Sequence, residues 1–256
     1  MKKKIDKNFK FLETQIDDLI YNFEKGGILI KDSRNKLKKY NCGDIQIVVK
    51  SFKTPNIFNK IIYKFFRKGK AERSFEYARK LMLMGIKTPR PIAFYEEKTS
   101  LFLKSSFYIS EYINYDFTIR DVINNLELSQ NKKIIKAFTK FTFKLHENKI
   151  NFLDHSPGNT LIKFEEDKPV FYLVDINRMK FENMKISKRL ANFSRISKKS
   201  TVIRIIAKEY SNLSGLDYEF TFNCIWKNIL KFRYRFNLKK RFKNNFLVSY
   251  LSKDRL

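Results

Sequence analysis

Apolar residues recur at helical spacing in the first stretch of the chain. Ile5, Phe9, Leu12, Ile16, Leu19, Ile20 and Phe23 fall on one face, which predicts an amphipathic helix over residues 5–23. Gly26-Gly27 breaks that pattern and shorter runs follow. Ile28–Ile30, Leu37–Tyr40 and Ile45–Lys50 read as strands, separated by the polar, basic stretch Lys31–Lys36 and a turn at Asn41–Asp44. A helix is predicted from about Ala71 to Met84, stopped by Gly85 and then by Pro89 and Pro91. Pro91–Glu96, Leu101–Leu103 and Phe107–Tyr112 are extended runs, and Asn131–Glu147 is a strongly periodic helix. Thr160–Phe164 and Val170–Val174, joined by the polar Glu165–Pro169, predict a hairpin, and the chain beyond Asn183 reads as helical and basic. A sheet-rich first part followed by a helical second part is an α+β pattern.

Composition narrows the class. A chain of 256 residues with 43% hydrophobic content, 7 Gly and 5 Pro can bury a sizeable core and is globular. No apolar run approaches the ~18 residues of a membrane span. The basic start, Met1-Lys2-Lys3-Lys4, has no apolar signal core behind it, so the cytoplasm is the expected compartment. Two cysteines, Cys42 and Cys224, give neither a disulfide framework nor a metal spacing and read as free thiols. Two histidines, His146 and His155, exclude a zinc site built on several histidines.

Charge adds a partner class. With 54 Lys+Arg against 26 Asp+Glu, the net charge is +28, which attracts nucleic acid, anionic lipid or a phosphorylated substrate without choosing among them. Two stretches concentrate it. The connection over residues 53–73 interleaves Lys60, Lys64, Arg67, Lys68, Lys70 and Arg73 with Phe58, Ile61, Phe65 and Phe66. The tail from Lys227 to Lys243 holds basic residues and no acidic one, with Phe232, Tyr234, Phe236 and Phe242 among them and Phe246 just beyond. Basic and aromatic residues together suit nucleic acid or a membrane surface, against the plain reading of a solvated helix face.

The chemistry is concentrated in Asn151-Phe152-Leu153-Asp154-His155-Ser156-Pro157-Gly158-Asn159 and, after the hairpin, Leu173-Val174-Asp175. Asp154 is suited to accept the proton of an attacking hydroxyl, and Asn159 and Asp175 are hard oxygen ligands suited to magnesium. A hairpin folds its two ends together, so Asn159 and Asp175 are expected to converge. Upstream, Lys50 ends a strand of β-branched residues, where a rigid lysine can neutralise nucleotide phosphates. A helix glutamate should hold that lysine in place, Glu76 first and Glu72 as the alternative. Glu111 and Tyr112, in the extended connection between the two parts, can offer backbone groups to an adenine edge. Each residue alone is ordinary, a turn former or a solvated charge. Their joint occurrence points to phosphoryl transfer.

Leu145-His146-Glu147, Asp154 to Ile162 and Val174-Asp175-Ile176-Asn177-Arg178-Met179 resemble the lipopolysaccharide kinase family, the Kdo and heptose kinases of Gram-negative bacteria. The resemblance extends upstream through Ala71–Ala78 and Gly85–Pro89 and covers roughly residues 25–195. It implies a bilobal protein-kinase-like fold, with an N-lobe over 1–110 and a helical C-lobe over 111–256. It also implies ATP and Mg2+ as cofactors, with Lys50 on the phosphates, Glu76 as its partner, Asp154 as base, and Asn159 and Asp175 on the metal. The chain departs from general kinase patterns in two places. Phe152 stands where a histidine usually precedes the catalytic aspartate. The loop over Asp32–Lys36 has no glycine, so nucleotide grip is expected from Lys31, Arg34, Asn35 and backbone N–H groups. The expected acceptor is a sugar hydroxyl of the lipopolysaccharide inner core, with a peripheral contact on the cytoplasmic face of the inner membrane. A kinase for another acceptor is the first alternative. A non-catalytic nucleic-acid-binding protein is the second, and it leaves Asp154, Asn159 and Asp175 without a reason.

Overall fold

The computed structural model describes residues 1–53, 68–98 and 103–253, and the side chains of 98, 103 and 242–253 lie outside that description. Residues 54–67 of the basic, aromatic connection read over 53–73, and Leu101 and Phe102 of one expected strand, lie outside the described residues. The chain forms two compact units, Met1–Asp116 with Leu161–Met179, and Phe117–Thr160 with Lys180–Leu256. The hairpin after the Asp154 loop, expected in the second lobe, thus groups with the first.

The first unit is built on a six-stranded antiparallel sheet. In chain order its strands are β1 (Lys2–Ile5), β2 (Ile28–Asp32), β3 (Asn35–Cys42), β4 (Ile45–Phe52), β5 (Pro91–Lys98) and β6 (Leu103–Glu111). Their spatial order is β1-β5-β6-β4-β3-β2. The single helix expected over residues 5–23 is instead three pieces. Ile5 ends the edge strand β1, Lys7–Leu12 is a 3-10 turn, and only α1 (Glu13–Tyr21) is α-helical. Asp6 makes the break, its carboxylate accepting the Asn8 N–H at 3.1 Å in place of a helical bond. The apolar face survives the change: Ile5, Phe9, Leu12, Ile16 and Phe23 are buried in one cluster with Ile47 and Ile109 of the sheet. Hydrophobic spacing therefore identified what is buried, while a local hydrogen bond decided the conformation.

The expected loop over Lys31–Lys36 closes into a tight hairpin, with only Ser33 and Arg34 between β2 and β3 and Asp32 paired with Lys36. Lys38, on β3, is buried and spends its ammonium on the carbonyls of Phe23, Glu24 and Gly26 at 2.7, 3.0 and 2.9 Å. Those carbonyls follow the end of α1 and have no helical donor, so the lysine satisfies them. Helix α2 (Lys70–Leu83) buries Ala71, Phe75, Ala78 and Leu81, with Phe75 tilted against Phe94 of β5 at 5.6 Å. Gly85 takes φ +67° just past its end, a left-handed stop that suits glycine.

Strand β7 (Phe117–Thr118) leads into the second unit, whose helices are α3 (Ile119–Asn124), α4 (Ser129–Glu147), α5 (Ile186–Ala191), α6 (Ser200–Ser214) and α7 (Tyr218–Lys253). Thr118 and Asp121 cap α3 reciprocally. The apolar face of α4, with Ile134, Ile135, Phe138 and Leu145, is buried, as is that of α6 with Val202, Ile203, Ile206 and Tyr210. Strand β8 (Ile150–Phe152) is buried at every position and carries the chain into the Asp154 loop. Beyond the loop, β9 (Thr160–Glu165) and β10 (Lys168–Leu173) form the hairpin read from the sequence. Its two turn residues, Glu166 and Asp167, take φ of 49° and 61°, as a type I′ turn requires. The hairpin is tied to the first unit by Thr88, whose hydroxyl donates to the Leu173 carbonyl at 2.7 Å, and by Lys87 and Glu165 at 2.8 Å.

Candidate active site

The first unit contributes a cluster of cations around one carboxylate. Lys50 lies on β4 opposite Leu37 of β3 and Tyr108 of β6, so the sheet fixes its direction. Its ammonium donates to Asp175 Oδ1 at 2.6 Å across 125 residues of sequence. Asp175 adopts φ +55°, and its Oδ1 also accepts the Asn177 side-chain amide at 2.7 Å. Both bonds fall on Oδ1, which leaves Oδ2 open for a cation among the described residues. Burial pushes the Lys50 ammonium below its ordinary value, against the pull of Asp175, and the charges of Lys31 and Arg34 push the same way. Lys70, at the start of α2, is likewise lowered by burial and then by Arg34 and Arg73. Phe52 lies under both lysines, 5.0 Å from the Lys50 nitrogen and 5.9 Å from that of Lys70. Lys31, Arg34, Lys50 and Lys70 therefore raise the local potential together, which is what a polyphosphate needs.

The second unit contributes the loop. His155 N–H donates to the Phe152 carbonyl at 3.1 Å, Asn159 N–H to the Ser156 carbonyl at 2.9 Å, and the Asn159 side-chain amide to the Asp154 carbonyl at 2.9 Å. With its nitrogen so committed, the Asn159 side chain keeps Oδ1 as a ligand atom. The Asp154 carboxylate is mostly buried and receives the Arg195 guanidinium, which also reaches the Leu153 carbonyl. Asn192 anchors the loop from behind by donating to the Phe152 carbonyl at 2.9 Å.

His155 takes the buried place behind Asp154, stacked on Phe138 at 5.3 Å and beside Phe152 and Phe193. The Thr142 hydroxyl donates to the Phe138 carbonyl at 3.0 Å, so at 3.2 Å from His155 Nε2 it accepts the ring N–H. That leaves Nδ1 as a bare acceptor with no hydrogen-bond partner among the described residues. Burial lowers the His155 pKa to about 3 and that of His146 to about 4. Both rings are neutral supports. Phe152, which stands where kinases usually carry a histidine, packs against this one.

Several expected partnerships are replaced. Glu76 does not meet Lys50; it pairs with Lys68, and the alternative, Glu72, pairs with Lys2 at 2.6 Å. Lys2 enters through the edge strand β1, of which only Ile5 fell inside the helix expected over residues 5–23. Asn35 is engaged locally, its side-chain oxygen accepting the Lys53 N–H at 3.3 Å. Of the backbone groups of Glu111 and Tyr112 expected to meet an adenine edge, the N–H groups donate to the carbonyls of Arg90 and Gln46 at 2.9 and 2.8 Å. Asn159 belongs to the second unit and Asp175 to the first. Sequence reasoning gave no role to Lys70, Asn177 or Arg195. Asn177 was signalled by lying two residues beyond Asp175; Lys70 and Arg195 sit in basic stretches with nothing to mark them.

The first unit holds a cation cluster around Asp175 and the second an ordered loop carrying Asp154 and Asn159, and the fold of the chain has known counterparts. A solved structure described as WaaP in complex with acyl carrier protein matches with a TM-score of 0.59 at 15% identity, covering 93% of this chain and 99% of that one. The kinase domain of Mycobacterium tuberculosis PknI matches more distantly, with a TM-score of 0.42 at 9% identity over 74% of this chain and 75% of that one. No curated protein matches the chain. The fold is an α+β, protein-kinase-like one. The model of the lipopolysaccharide kinase (Kdo/WaaP) family matches residues 33–216, and the chain belongs to that family. Membership supports a phosphotransferase acting on the lipopolysaccharide core. No helix among the described residues is long and apolar enough to cross a membrane.

Proposed function

We propose that the protein transfers the γ-phosphoryl group of ATP to a sugar hydroxyl, Kdo or heptose, of the lipopolysaccharide inner core. The observation that carries this reading is the Lys50–Asp175 ion pair at 2.6 Å, flanked by the charges of Lys31, Arg34 and Lys70. Lys50 and the three flanking cations bind the nucleotide phosphates. Asp154, held in direction by Arg195, orients the acceptor hydroxyl and takes its proton as the oxygen attacks the γ-phosphorus; the bond to the β–γ bridging oxygen breaks and ADP leaves. Asn159 Oδ1 and Asp175 Oδ2 are hard oxygen donors that fit magnesium and would be the groups to hold it. Magnesium so held would supply neutralisation of the charge on the transferring group. Lys50 and Asp175 are each mostly buried, 13% and 32% exposed, so their charges are screened less than surface pairs.

The test is transfer of label from ATP to an inner-core acceptor by the purified protein. The expected outcome is Mg2+-dependent labelling that falls at least about a thousandfold in Asp154→Ala, the scale of a lost base together with its positioning. Undiminished labelling by Asp154→Ala, or none by the parent protein with any inner-core acceptor, sinks the reading.

A further inference from the structure

The second unit holds an imbalance of charge that the proposed reaction has not used. A cavity of about 450 Å³, within the usual range for small-ligand sites, is walled in part by Arg120, Arg195, Lys198, Lys199 and Arg233 and by no aspartate or glutamate. Lys199 is spent on the carbonyls of Ile123 and Asn124, at 3.0 and 3.3 Å, where α3 ends. Arg195 is shared, since it also holds Asp154. Arg120, Lys198 and Arg233 form no ion pair among the described residues. Arg120 lies close against the loop because residue 158 is glycine: a Cβ there would stand 2.6 Å from its Nη2. The rest of the wall includes Phe232 and Phe236, surfaces on which the C–H face of a sugar can rest.

Facing cations around one cavity repel each other, and the arrangement is relieved by an anion. Guanidinium forks match phosphate and carboxylate in two-point geometry. We infer that this cavity is an acceptor subsite for an anionic substituent, a phosphate monoester or a carboxylate on the sugar whose hydroxyl meets Asp154. The inference rests on the proposed transfer reaction and deepens it, because it makes an acidic acceptor the preferred one. Arg195 ties the subsite to the base, so filling the cavity and aligning Asp154 are one event.

The test uses the full chain and two readouts. In calorimetry, glucose 6-phosphate and glucuronate are the anionic probes and glucose the neutral one. The expected result is binding of one or both anions but not of glucose, weakened about tenfold or more in Arg120→Ala and Arg233→Ala and retained in Lys50→Ala. The two anions report which substituent the site takes. In the transfer assay, the same arginine variants raise the acceptor KM about tenfold while the ATP KM holds, and they erase the preference for acidic over dephosphorylated or carboxyl-reduced acceptor. Thermal midpoints of the variants check folding; removing one of several repelling cations should leave them unchanged or higher. Anion binding that is indifferent to Arg120 and Arg233, or lost only with Lys50, overturns the subsite even if transfer proceeds. Failure of transfer to every acceptor, with anion binding still lost in the arginine variants, overturns the reaction instead and leaves the anion site standing.

Discussion

At Asp175 the backbone occupies φ +55°, a left-handed region uncommon for residues other than glycine, although asparagine and aspartate enter it more readily than most. The carboxylate repays that strain through Lys50 and Asn177, and strain held by surrounding bonds is characteristic of functional positions. A different kind of cost sits beneath Asp154, where His155 and His146 are buried neutral, with pKa values lowered to about 3 and about 4. In the unfolded chain each takes a proton near pH 6.5. Their contribution to stability is therefore full above pH 6.5 and is lost as pH falls from there toward 4 and 3, by about 1.4 kcal/mol per pH unit for each ring. His155→Phe keeps the stack on Phe138 and removes the titration. Urea unfolding at pH 7 and pH 5 should show a smaller loss of stability in that variant than in the parent. Equal losses would mean that His155 is not neutral in the folded protein.

At the scale of elements, the strands around Lys50 and the helix α2 were legible because burial imposes period and turns impose glycine or proline. Asp154, Asn159 and Asp175 stand out in the sequence because the phosphoryl-transfer chemistry proposed for them leaves few substitutes. Partnerships were not. Glu76 was assigned to Lys50 from its place on α2, but Lys68 is nearer in sequence and takes it, while β1 brings Lys2 to Glu72. Arg195, which reaches Asp154 across 41 residues, had no spacing to betray it. The hairpin β2–β3 makes the point testable. Its turn carries Arg34, its first strand carries Lys31, and with Lys50 and Lys70 they form the cation cluster. Replacing Lys31 and Arg34 together by alanine should raise the ATP KM about tenfold, the worth of one or two charge-assisted phosphate contacts, with a smaller change in kcat. Glu76→Ala should change the ATP KM less than about twofold, since it loses an exposed pair of the sort worth ~1 kcal/mol or less. The opposite ranking would restore Glu76 to the phosphate site.

For the whole molecule, a net charge of +28 exceeds anything the two site clusters need. Much of the surplus lies along α7, where Arg233, Arg235, Lys239 and Lys240 are exposed beside Tyr234 and Phe236, 66% and 60% exposed. Clustered cations of this kind are attracted to anionic bilayers, each contributing about 1 kcal/mol near such a surface. A kinase whose acceptor is a glycolipid gains from working at the surface that holds it. Binding of this origin is electrostatic first, so it must weaken as salt rises from about 0.1 M to about 1 M and the Debye length shrinks from ~10 to ~3 Å. Co-sedimentation with vesicles of phosphatidylglycerol and phosphatidylethanolamine should therefore be strong at low salt and lost at high salt. It should also be reduced when Arg235, Lys239 and Lys240 are changed together to glutamine. That triple change spares every residue walling the acceptor cavity, so transfer to a soluble, deacylated acceptor should persist while transfer to vesicle-embedded acceptor falls. Equal sedimentation with neutral vesicles, or a variant that sediments as the parent does, would show that the charge of α7 serves something other than a membrane surface.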